Sequence, residues 1–137
     1  MVRSIHAVVG FAVVAIFAVG WIWGLGAKLL RRGPGERYWT WLTVAQVTAG
    51  VQAIIGLVLL LLGRRVVSPG PLGSVRHYVY GFLPIILFVF AHVAAREGTG
   101  RLVGIERPIQ PWTPFAWAAF ICFGLTCMAL VTGLRVL

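Results

Sequence analysis

Four long apolar runs, separated by short polar connections rich in Gly and Pro, organise this chain of 137 residues. A helix crosses a hydrocarbon core with about 20 apolar residues, and each run is long enough to do so. The predicted helices cover residues 5–27, 38–62, 77–95 and 111–134. The first connection, KLLRRGPGER, holds a Gly-Pro-Gly break that turns the chain back on itself. After the second helix, Pro69, Gly70 and Pro71 cannot continue a helix. The third connection, residues 96–110, is polar and mixed in charge. Pro84 predicts a local kink in the third helix, and Pro111 suits the first turn of the fourth. Nothing is left over for a soluble domain, and no repeat of 20 to 50 residues is present. The fold class expected is an all-α membrane protein, an antiparallel up-and-down four-transmembrane-helix bundle forming one domain over residues 1–137.

Composition strengthens this picture. Hydrophobic residues make up 60% and charged residues 11% of the chain, and the mean hydropathy is +0.94. A soluble domain of this size has no room to bury that much apolar surface. The net charge of +9 does not point to nucleic acid, because the basic residues lie in or beside the connections, where they meet lipid phosphates. The first run ends in Trp21, Trp23 and a basic cluster instead of a small-residue cleavage site, which predicts a retained helix. Arg3, Arg64, Arg65, Arg76 and Arg135 fall at the end that holds both termini. Lys28, Arg31, Arg32, Arg37, Arg96, Arg101 and Arg107 fall at the other, and this excess predicts that both termini are external. All six tryptophans lie toward the more basic end, as interfacial anchors.

The chemistry is carried by histidines. His6 with Gly10, and His77 with Gly81, form two HxxxG patterns at similar depth on the first and third helices. A b-type haem between membrane helices needs two facing neutral imidazoles and small residues where the porphyrin passes close to a backbone. His6 and His77 are therefore the candidate metal ligands, with Gly10 and Gly81 supplying clearance. His92 shares a broad face with His77 and is expected to point inward. It lies about 22 Å further along the helix, too far to share one iron, so a cofactor there lacks its second ligand in this chain. The plainer reading makes His6 and His77 interfacial residues and His92 a packed or hydrogen-bonded one. Gln46 and Gln52 are expected to bond across helices, and either suits contact with a quinone carbonyl.

Absences narrow the function. There is no aspartate, and Glu36, Glu97 and Glu106 all fall in connections, which argues against an ion-coupled carrier. No nucleophile with a base, no acid–base pair and no cluster of three zinc ligands is evident, so no catalytic residues are assigned and the chain is not expected to be an enzyme by itself. Cys122 and Cys127 point about 140° apart on a helix and predict no disulfide.

Gln52 and Gly56 in QAIIG, the aliphatic run after them, the Pro/Gly connection and His77 opening the next helix resemble one half of the haem A synthase family. The likeness covers the middle third of the chain. There a Gln-x-x-x-Gly helix precedes a helix that opens with a haem-ligating histidine near the outer face, which implies a ligand's role for His77, with His6 as its partner. The family's carboxylates are missing, so haem-modifying activity is not implied. WTWLTVAQ, QAIIG and HYVYG also resemble small four-helix membrane proteins of bacteria, implying a multi-pass protein of the bacterial inner (plasma) membrane. The leading expectation is a membrane component of an electron-transfer system binding one haem b. The alternative is a cofactor-free accessory subunit of a larger respiratory or photosynthetic membrane complex.

Overall fold

The computed structural model describes residues 2–66, 72–97, 99–100 and 105–134. Four helices carry it: α1 (Val2–Leu29), α2 (Glu36–Leu61), α3 (Gly73–Glu97) and α4 (Thr113–Leu134). All four are long and apolar enough to cross a membrane. Their number and order are those the apolar runs predict, but their ends differ. The polar residues Arg3 and Ser4 extend α1, and α3 begins at Gly73, so His77 does not open its helix. Pro111 precedes α4 in a turn where the Thr113 N–H donates to the Gln110 carbonyl at 2.9 Å. The proline of the first turn is Pro114, whose missing N–H has no helical partner to lose there.

The helix ends are closed differently. After α2, Gly63 takes a positive φ of 73°, as a residue without a Cβ does readily. After α1 the same left-handed conformation, φ 52°, falls on Arg31. The Arg32 N–H then reaches back to the Ala27 carbonyl at 3.0 Å, the six-to-one bond of a Schellman ending. Between α3 and α4 the polar connection also holds an antiparallel pair, β1 (Thr99–Gly100) and β2 (Ile105–Pro108), with an irregular register. Backbone pairing satisfies N–H and C=O groups that the helices do not reach, which composition alone did not predict.

α1 packs against α2 and α4, α4 packs against α3, and the contact of α2 with α3 is slighter. Small residues set the closest approach. A methyl group at Gly20 would stand 3.6 Å from the Ala119 Cβ, and one at Gly24 only 2.7 Å from the Ala116 Cβ. This is the small-xxx-small contact by which membrane helices approach closely. Phe17, Leu42, Phe88, Phe115 and Cys122 fill the interior. Large apolar side chains, among them Val8, Ile54, Val89 and Phe120, cover the outside. Such a surface is costly in water and neutral against lipid tails.

Across the α1–α2 contact, the Trp41 indole Nε1 donates to the Ile16 carbonyl at 3.0 Å. Trp41→Phe removes that donor and keeps an aromatic ring. It is expected to lower stability by about 0.6 kcal/mol, the typical worth of an interhelical hydrogen bond in a membrane, measured by unfolding in mixed micelles.

Candidate cofactor site between the helices

His6 and His77 are each the fifth residue of their helix, α1 and α3. Their rings meet across the interior with centroids 6.2 Å apart and planes at 65°. Eleven residues further along each helix, Phe17 and Phe88 stack at 5.7 Å with planes at 23°. Two ring pairs thus bridge α1 and α3 at two levels. A cavity of about 150 Å³ includes the histidine pair and reaches inward to Val13 and Pro84. Gly10, Gln52 and Gly81 line it, as do Arg64 and Arg65 just past the end of α2. The Val66 N–H donates to the Tyr78 hydroxyl at 3.3 Å, which ties this basic end to α3.

The His77 ring is held by α4, and the backbone of His6 by α2. His77 Nδ1 lies 2.9 Å from the Ala129 carbonyl and 3.4 Å from the Thr132 hydroxyl. A carbonyl only accepts, so Nδ1 carries a proton, and in the neutral imidazole Nε2 then keeps its lone pair. Gly133 makes room for this ring, since a methyl group there would stand 3.1 Å from His77 Cε1. On the other side, the Gln52 amide Nε2 donates to the His6 carbonyl at 2.9 Å, and a methyl group at Gly56 would stand 3.3 Å from His6 Cε1. The Gln-x-x-x-Gly spacing of α2 is therefore a cradle for one residue of α1. His6 Nδ1 and Gln52 Oε1 are buried without a hydrogen-bond partner among the described residues.

The tautomer is directly measurable. Solid-state 15N spectra of imidazole-labelled protein are expected to show His77 as the Nδ1–H form, and Gly133→Val, by displacing the ring from Ala129, is expected to remove that signal.

The glycines of the two HxxxG patterns are placed unequally. Gly10 faces Gln52, whose Nε2 would stand 3.1 Å from an added methyl group, whereas Gly81 has nothing within 4 Å of that position. His92 is exposed, contrary to the expectation that it points inward. It sits at the weak α2–α3 contact, where Nε2 is 3.2 Å from Gln46 Oε1 and the ring stands edge-on to Phe115 at 4.8 Å. Its face was shared with His77 only by helical periodicity, and the slight approach of α2 leaves that part of α3 open. Neither His92 nor Gln46 lines the cavity. Cys122 and Cys127 are both free thiols, the first buried with its Sγ 3.8 Å from the Pro84 carbonyl.

Gly56, Gly133 and the Ala129 carbonyl were not singled out as parts of a site from sequence, apart from the place of Gly56 in QAIIG. Backbone carbonyls carry no sequence signal at all. With metal–imidazole bonds of about 2 Å on each side, two rings facing one ion have centroids roughly 6 Å apart; the histidine centroids stand 6.2 Å apart with their planes at 65°. Among the described residues no group of three or more His, Cys, Asp or Glu side chains comes together. Comparison with protein-family models, with curated proteins and with solved structures finds no match to this chain.

Proposed function

We propose that this protein is a small integral-membrane component of an electron-transfer system that binds one b-type haem between α1 and α3, and that His6 and His77 would hold it. The observation that carries the reading is the 6.2 Å approach of the two imidazoles across a cavity. The chain crosses the bacterial inner membrane four times, as an antiparallel up-and-down bundle with both termini external, and its apolar surface faces lipid.

The donor set suits the group. His77 is oriented by a carbonyl at its far nitrogen, the usual arrangement behind a metal-bound imidazole. His6 has a buried ring nitrogen, Nδ1, without a hydrogen-bond partner among the described residues. Arg64 and Arg65 place positive charge beside the cavity, where the carboxylates of a haem need it. Pockets for drug-sized ligands measure roughly 300–1,000 Å³, so the cavity has to widen, and the open side at Gly81 displaces no side chain. When bound, haem supplies one-electron chemistry; the chain holds it, orients its ligands and excludes water.

The second reading, a cofactor-free accessory subunit of a larger respiratory or photosynthetic membrane complex, has the small cavity volume in its favour. A reduced-minus-oxidised spectrum of the gently extracted protein separates the two. A b-type band from a stand-alone protein supports haem binding. No haem absorption, with constant co-migration in a larger complex, supports the accessory subunit and removes the first reading.

A further inference from the structure

At the opposite end of the molecule, the end of α1 and the start of α4 enclose a cleft of about 400 Å³. Lys28, Arg31 and Arg32 line it from one side, and Gln110, Trp112 and Thr113 from the other. Among the described residues no acidic side chain contributes to its wall. Lys28 Nζ lies 5.4 Å from the centroid of the Trp117 ring, which keeps the ammonium on the α4 side of the cleft. α4 begins at the same end, with its Thr113 N–H taken by the Gln110 carbonyl at 2.9 Å, so the helix adds the positive pole of its dipole there rather than free donors.

Arg31 gives this cleft an unusual construction. It holds the left-handed conformation that closes α1, a position that glycine or asparagine usually fills because a Cβ is unfavourable there. Glycine occupies the equivalent place after α2, at Gly63. Arg31 thus closes α1 and at the same time brings its guanidinium to the cleft wall. Lys28, Arg31 and Arg32 put three cations within five residues beside Trp112 at the end of two apolar helices, the charge and aromatic pairing that suits a phosphate at headgroup depth.

We infer that this cleft binds the headgroup of an anionic phospholipid, with the lipid phosphate held by Lys28, Arg31 and Arg32 and the acyl chains lying along the α1–α4 surface. The inference is independent of haem binding at the other end. The site is a docking point for lipid, and it fixes the depth of the tryptophan-rich end in the bilayer.

The test uses the full chain in nanodiscs of phosphatidylcholine with a minor fraction of phosphatidylglycerol or cardiolipin, followed by native mass spectrometry of retained lipid. The parent is expected to retain anionic lipid on the order of tenfold over its share of the bilayer, the effect of one or two charge-assisted contacts. Arg31→Gly and Arg32→Gln are expected to lose most of that enrichment, while Arg76→Gln, at the far end, keeps it. Arg31→Gly also relieves the strained backbone, so its thermal stability in pure phosphatidylcholine is expected to equal or exceed that of the parent; a merely structural arginine would move stability and lipid retention together. Unchanged enrichment in Arg31→Gly and Arg32→Gln overturns the inference. Displacement of the bound lipid by millimolar inorganic phosphate also overturns it, by showing a simple anion site.

Discussion

His77→Ala is expected to carry no more than about one hundredth of the parent's haem affinity, because losing an outer-shell partner alone costs 10–100-fold and this change removes the ligand itself. His6→Ala is expected to do the same. The two losses should not add, since each variant removes one member of the imidazole pair whose centroids stand 6.2 Å apart. His92→Ala is the contrasting case. Its ring is exposed and bonded to Gln46 outside the cavity, so haem content should stay at the parent's level. Haem determined by pyridine haemochrome on purified, detergent-solubilised variants reads all three. Full haem in His77→Ala would remove His77 from the site.

The second large effect concerns the fold. A methyl group at Gly24 would stand 2.7 Å from the Ala116 Cβ, 2.9 Å from the Tyr38 hydroxyl and 3.4 Å from the Ala116 Cα. The Ala116 Cβ is fixed to the backbone of α4, so no rotamer change relieves the 2.7 Å contact. Overpacking of a close contact costs roughly 1–3 kcal/mol per site. Gly24→Ala is expected to fall in that range and Gly24→Val to exceed it, separating α1 from α4. Gly26→Ala, two residues on, meets nothing within 4 Å and should be neutral or slightly stabilising, because alanine favours a helix. Unfolding in mixed micelles, followed by tryptophan fluorescence, compares them. Equal stability of Gly24→Ala and Gly26→Ala would contradict the packing described.

Much of the fold was legible because hydropathy is a strong signal over twenty residues. Four apolar runs gave four helices in the expected order, with ends displaced by up to four residues. Helix ends depend on capping and on polar residues that continue a helix for a turn, as Arg3 and Ser4 do. The site was legible only in outline. Matching depth brought His6 and His77 forward, but the partners that hold them come from α2 and α4, and helical periodicity does not say which neighbour fills which side. Gln52 and Gly56 had a visible spacing whose use, cradling His6, depends on that packing. His92 shows the opposite limit. A shared face on one helix predicts burial only if a neighbour covers the whole face, and α2 does not.

The mismatch in size between cavity and cofactor gives the account its sharpest physical demand. Phe17 and Phe88 already close the space between α1 and α3 below the cavity, so widening has to occur at the histidine end. The Gly81 side is where it meets least resistance. Filling that side is therefore informative: Gly81→Leu should fold as the parent does and take up less haem.

The central claim is that two imidazoles of this chain share one iron. Low-temperature EPR of the oxidised, purified protein tests it most directly. The account predicts a low-spin ferric signal from two axial imidazoles, lost in His6→Ala and in His77→Ala and unchanged in His92→Ala. A protein without haem, or one whose haem is high-spin and indifferent to both His6 and His77, would contradict it.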